Sequence, residues 1–125
     1  MLSIFLCQKA YSQEAGIASY YADVFNGRKM ANGEAYNPSL LICAHLTAPM
    51  GSIIKITRRD CPEQSVIVKV VDRGPYVKGR IVDLSKRAAE DLGILNMGIA
   101  DVVISLIQLP IDQSALNPFA VVYSK

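Results

Sequence analysis

Apolar residues in this chain come in short β-type runs broken by turn residues. The strongest run is Ser65-Val-Ile-Val-Lys-Val-Val71, β-branched almost throughout and stopped by Asp72-Arg-Gly-Pro75. β-Branched side chains fit a pleated, packed surface, so this run predicts a strand. Residues 17–21, 52–57 and 101–107 predict three more, the last closed by Pro110. Between the first two strands, Asn26-Gly-Arg-Lys-Met-Ala-Asn-Gly33 carries two Asn-Gly pairs, which favour tight turns. It predicts a long loop, where binding groups collect on a rigid scaffold. One helix is predicted, with Ser85 as N-cap, good helix formers through Leu92, and Gly93 as left-handed terminator. Several short strands with one short helix predict a small β-barrel, because closure removes exposed strand edges.

The 125 residues make one domain, with 51% hydrophobic residues, enough for a packed core and too many for a disordered chain. A net charge of +2 with 19% charged residues excludes nonspecific nucleic-acid binding, which needs clustered basic residues. Met1-Leu-Ser-Ile-Phe-Leu-Cys7 is much shorter than the roughly 20 residues of a membrane-spanning helix. It matches the back half of an export signal without the charged start. The expected organisation is a signal segment over residues 1–15, a barrel over 16–109 and a tail over 110–125. The large Leu6 before Cys7 argues against lipidation at that cysteine. Cys43 and Cys61 leave a disulfide open, although Cys43 in Leu40-Leu-Ile-Cys-Ala44 reads as a buried small hydrophobe and Cys61 lies in a polar turn. With one His and no C-x-x-C, no metal or cofactor is expected.

Five polar residues could carry chemistry: Glu34, His45, Asp72, Arg73 and Asp83. Each has a plain structural role open to it. Glu34 fits a solvated loop carboxylate and His45 a satisfied core or turn histidine. Asp72 fits a turn aspartate bonded to its own backbone, and Asp83 a partner for the helix N-terminus. Taken singly, the structural roles are the commoner ones, so the functional reading rests on their combination.

That combination resembles the rare lipoprotein A (RlpA) family. The resemblance is carried in order by Gly16-Ile-Ala-Ser-Tyr-Tyr21, Phe25-Asn-Gly-Arg28, Ala31-Asn-Gly-Glu-Ala-Tyr36, Ala44-His45, Val70-Val-Asp-Arg-Gly-Pro-Tyr76 and Gly79-Arg-Ile-Val-Asp-Leu-Ser85. It implies a mainly β fold, a six-stranded double-psi β-barrel with one short α-helix, exported to the bacterial periplasm or envelope. It also implies endolytic, non-hydrolytic cleavage of peptidoglycan glycan strands to 1,6-anhydro-muramic ends, in wall remodelling and daughter-cell separation. The chain departs from the family at Tyr20, where Trp is usual, and at Ala22, Met30 and Cys43. None of these departures removes an ionisable group.

The implied site has Asp72 and Glu34 as catalytic carboxylates, His45 orienting one of them, and Asp83 either catalytic or capping the helix. Arg73, Lys78 and Arg80 are expected to form ion pairs in the site or to meet the lactyl carboxylate of peptide-stripped glycan. Tyr20, Tyr21, Tyr36 and Tyr76 supply sugar-stacking faces or core packing. The expected partner is the glycan strand, bound by a monomer alongside other envelope or division proteins. The alternative is a non-catalytic glycan-binding or wall-loosening module on the same barrel.

Overall fold

The computed structural model describes residues 13–111. The predicted signal segment up to residue 12, Cys7 and most of the tail lie outside the described residues. Six strands and one α-helix follow in order, with a single 3-10 turn over Asp23–Phe25 after the first strand: β1 (Glu14–Tyr20), β2 (Ile42–Ala44), β3 (Ile53–Arg58), β4 (Ser65–Asp72), β5 (Arg80–Leu84), α1 (Lys86–Leu92) and β6 (Ala100–Gln108). They close into a barrel in the order β1-β5-β2-β4-β3-β6. The β1/β5 and β2/β4 pairs are parallel and the other four are antiparallel. The six-stranded barrel with one helix is the fold expected from the resemblance.

β4 shows why these residues make this barrel. Val66, Val68 and Val70 are buried while Ile67 and Lys69 between them face outward, the two-residue period of a strand with one covered face. The three valines pack with Ile54 and Ile56 of β3, Val82 and Leu84 of β5, and Val102 and Ile104 of β6. Ala88, Ala89 and Leu92 of α1 complete the same core. Ser85 Oγ accepts the Ala88 amide at 3.1 Å, and Gly93 adopts φ +82°, so both predicted helix caps form.

Gly16 permits a close approach that no other residue would. A Cβ there would lie 2.6 Å from Ile81 Cγ2, so the bare backbone lets β1 lie against β5.

Two strands escaped the sequence pattern. In β2 all three residues are buried, which leaves no alternation to read. β5 has only five residues and leads almost directly into α1. β1 begins at Glu14, three residues before the predicted start, and ends at Tyr20. The predicted loop is folded over residues 27–36 as a narrow hairpin. Gly27 N donates to Tyr36 O at 2.9 Å, Tyr36 N to Arg28 O at 2.7 Å, and Met30 N to Glu34 O at 2.8 Å.

Candidate functional site

β1 runs parallel to β5 and β2 parallel to β4, so the ends of several strands converge on one face. Ala44 of β2 lies in register with Asp72 on one side and Asp83 on the other. Two strand spacings separate the aspartates, roughly 9–10 Å between Cα atoms. Both line one groove of about 530 Å³, with Ser19, Tyr21, Met30, Gly74 and Arg80 among its walls.

The two carboxylates are held differently. Asp72 Oδ1 accepts the amides of Ala31 at 2.8 Å and Arg73 at 2.9 Å, and Oδ2 accepts the Tyr21 hydroxyl. Asp83 Oδ1 accepts the Ser19 hydroxyl. Ser19 and Tyr21 are two residues apart on an extended segment, so both side chains leave the same face. That spacing carries both hydroxyls to the groove floor. Burial, with the Asp72 carboxylate second, pushes the Tyr21 phenol far above its ordinary value, so Tyr21 remains a proton donor. The expected bond from Asp83 to the helix N-terminus is replaced by the one to Ser19, because Ser85 occupies the cap.

The hairpin over residues 27–36 is pinned to the end of β4 through Asp72 and through Asn32 N, which donates to Val71 O at 3.2 Å. Tyr36 is buried and stacks on Tyr21 with ring centroids 4.4 Å apart, and its hydroxyl accepts the Lys86 amide at 3.1 Å. Burial is the main cause that raises the Tyr36 phenol above its ordinary value. Tyr36 thus supports Tyr21 from behind. Tyr20 also lines the groove, and its hydroxyl donates to Leu95 O at 2.8 Å. Tyr76 is 79% exposed at the groove rim.

Glu34 and His45 do not line this groove. Glu34 is exposed and accepts the Asn32 side-chain amide at 2.8 Å, which shapes the hairpin tip. The expectation that His45 orients Glu34 or Asp72 through its ring is corrected. Its Nε2 meets Glu14 Oε1 at 2.8 Å, while Nδ1 accepts the amides of Thr47 at 3.1 Å and Ala48 at 3.0 Å. Two amide donors at Nδ1 place the imidazole proton on Nε2, facing Glu14. The ring therefore shapes the turn over residues 45–48. Its link to Asp72 is through the backbone, His45 N donating to Asp72 O at 3.1 Å.

Arg73 reinforces the same turn. Its Nη1 donates to His45 O at 3.0 Å and Ala48 O at 2.6 Å, in place of the expected ion pair. Arg80 stays in the groove wall, with no acidic partner among the described residues. Among the described residues, Cys43 and Cys61 are not joined by a disulfide.

Sequence reasoning missed Glu14 and Ser19. The Ser-x-Tyr spacing on a predicted strand was a usable signal for Ser19. Nothing local pointed to Glu14, which lies 31 residues from its histidine partner.

Similar proteins place the fold and the family. A family model described as "Lytic transglycolase" matches residues 13–104. The chain is 48% identical over 94 residues to "Endolytic peptidoglycan transglycosylase RlpA" of Pasteurella multocida, covering 75% of this chain and 32% of that protein. It is 44% identical over 102 residues to the protein of the same name from Campylobacter jejuni, covering 82% and 37%. The chain thus spans about a third of the length of these curated relatives. Among solved structures, the Streptomyces papain inhibitor superposes with a TM-score of 0.62 at 21% identity, covering 78% of this chain and 96% of that one. A Clavibacter michiganensis expansin gives 0.60 at 23%, covering 81% and 53%. At such identities these two likenesses establish the fold, a double-psi β-barrel. With the ordered motifs, the closed barrel and the relatives in agreement, the chain belongs to the RlpA family of lytic transglycolase domains.

Proposed function

We propose that this domain is an endolytic lytic transglycosylase acting on the glycan strands of peptidoglycan in the cell envelope, during wall remodelling and daughter-cell separation. The observation that carries this reading is the unequal pair of aspartates on one groove. Asp72 is held by three donors, the amides of Ala31 and Arg73 and the Tyr21 hydroxyl. Asp83 has a single donor among the described residues, Ser19, and leaves an oxygen for proton transfer.

Scission needs a proton for the departing oxygen and a negative charge near the oxocarbenium-like carbon. In this reading Asp83 gives its proton to the glycosidic oxygen as the C1–O4 bond breaks. The C6 hydroxyl of the same muramic residue then closes on C1, forming the C1–O6 bond, and its proton returns to Asp83. Asp72 stabilises the positive charge that develops between the two steps. Tyr21 and the Ala31 amide fix Asp72 in place, and Glu34 supports it by holding the hairpin that carries Ala31. Arg80 meets the lactyl carboxylate of peptide-stripped glycan, an attraction that weakens as salt rises.

The test is digestion of purified sacculi and amidase-stripped glycan, with mass spectrometry for 1,6-anhydro-muramic ends. Wild type is expected to produce them, Asp72→Asn and Asp83→Asn to lose them, and Glu34→Gln to yield fewer. Reducing ends carrying added water would indicate a hydrolase. Binding without cleavage would indicate a glycan-binding module.

A further inference from the structure

The groove does not stop at the aspartates. Beyond Tyr20 and Arg80 it continues into a second lobe of about 470 Å³, walled by Tyr20, Asp23, Lys86, Met97, Gly98 and Ile99. Ser19, Tyr20, Tyr21, Ala22 and Arg80 border both lobes, so they form one continuous trough.

The far wall is made of apolar side chains left in water. Met97 is 47% exposed and Ile99 45%. They belong to the segment between α1 and β6, which is held to the barrel at Leu95 O by the Tyr20 hydroxyl. Gly98 between them has φ +79°, a left-handed turn that favours glycine. The same lobe is lined by Asp23 and Lys86, whose Nζ lies 3.4 Å from Asp23 Oδ1.

A pyranose presents an apolar C–H face and a rim of hydroxyl and amide groups. An apolar platform and a charged pair lining one trough complement that distribution. We infer that the lobe is a distal sugar-binding subsite, which takes the continuation of the strand being cleaved at Asp72 and Asp83. The inference rests on the proposed function for the identity of the strand. Because Asp83 lines the first lobe and Met97 the second, the inference makes binding depend on chain length.

The inference is tested with the Asp72→Asn protein, so that strands stay intact, and with amidase-stripped glycan fractions of one and of four or more disaccharide units. Amide resonances are followed by NMR, and affinity by calorimetry. Long strands are expected to shift the amides of Gly98 and Ile99, and disaccharides to leave them in place. Adding Met97→Ser and Ile99→Ser should weaken long-strand binding about five- to twenty-fold and disaccharide binding less than two-fold, with the far-UV dichroism unchanged. Long strands that bind at Tyr21 and Tyr76 without moving Gly98 or Ile99, or with unchanged affinity in the double variant, overturn the subsite while leaving the proposed function in place. Absence of binding by every fraction, together with no anhydro ends from wild type, overturns both.

Discussion

Tyr21 donates its hydroxyl proton to Oδ2 of Asp72, 51 residues away, while its ring lies flat against Tyr36. The stack fixes the phenol, and the phenol fixes the carboxylate. Tyr21→Phe keeps the stack and removes only the hydroxyl, so its effect should fall on catalysis more than on stability. The expected result is a 10- to 100-fold loss in the rate of anhydro-end formation, with stability changed by about 1 kcal/mol. Progress curves by mass spectrometry and urea melts check the two arms.

The imidazole of His45 is a structural acceptor for two backbone amides. His45→Ala leaves those amides without their acceptor and should cost about 2–4 kcal/mol. His45→Asn supplies an oxygen near the position of Nδ1 and should recover part of that loss. Glu14 is exposed, so Glu14→Gln should change stability by less than about 0.5 kcal/mol. Denaturant unfolding of the three variants separates the turn-shaping role from the outer ion pair.

Burial holds the Cys43 thiol well above its ordinary value of 9.0, with the Asp83 charge adding to the effect. Above pH 9 the unfolded chain loses this proton while the folded chain keeps it. Stability is therefore full below pH 9 and declines as pH rises from there, by at most about 1.4 kcal/mol per pH unit for this group. Tyr21, also raised, adds to the decline from its ordinary value of 10.0 upward. Cys43→Ala should flatten the slope of unfolding free energy between pH 9 and 10.5, and Tyr21→Phe should flatten its upper end. An unchanged slope in both would mean that neither group remains protonated in the fold.

Gly16→Ala should destabilise the barrel by about 1–3 kcal/mol, because its Cβ would meet Ile81 Cγ2 at 2.6 Å. Ile81→Ala removes that atom. In the double variant the two costs should be less than additive, and a double-mutant cycle from urea melts reads the coupling directly.

On the outer surface, Ile67 is 51% exposed, whereas Ile56 is wholly buried between β4 and β6. Ile56→Ala should cost about 2–5 kcal/mol and Ile67→Ala less than about 0.5 kcal/mol. Thermal melts that ranked the two alike would contradict the inside-outside assignment of these strands.

The amino-acid sequence by itself determined the parts of this protein that depend on neighbouring residues. β-Branched runs reported β3, β4 and β6, since their covered and open faces alternate every two residues. Ser85 and Gly93 reported the ends of α1, since capping uses groups within a few positions. The ordered motifs around Asp72 and Asp83 reported the family. Tertiary structure decided what depends on barrel closure. It paired the fully buried β2 with β4 and β5, setting Ala44 between the two aspartates. It brought Ser19 to Asp83 across 64 residues and turned His45 toward Glu14 instead of the groove. A strand's own residues fix which face is apolar, but its neighbours depend on how the whole sheet closes, and the assignment of partners to the polar groups of the site follows from that closure.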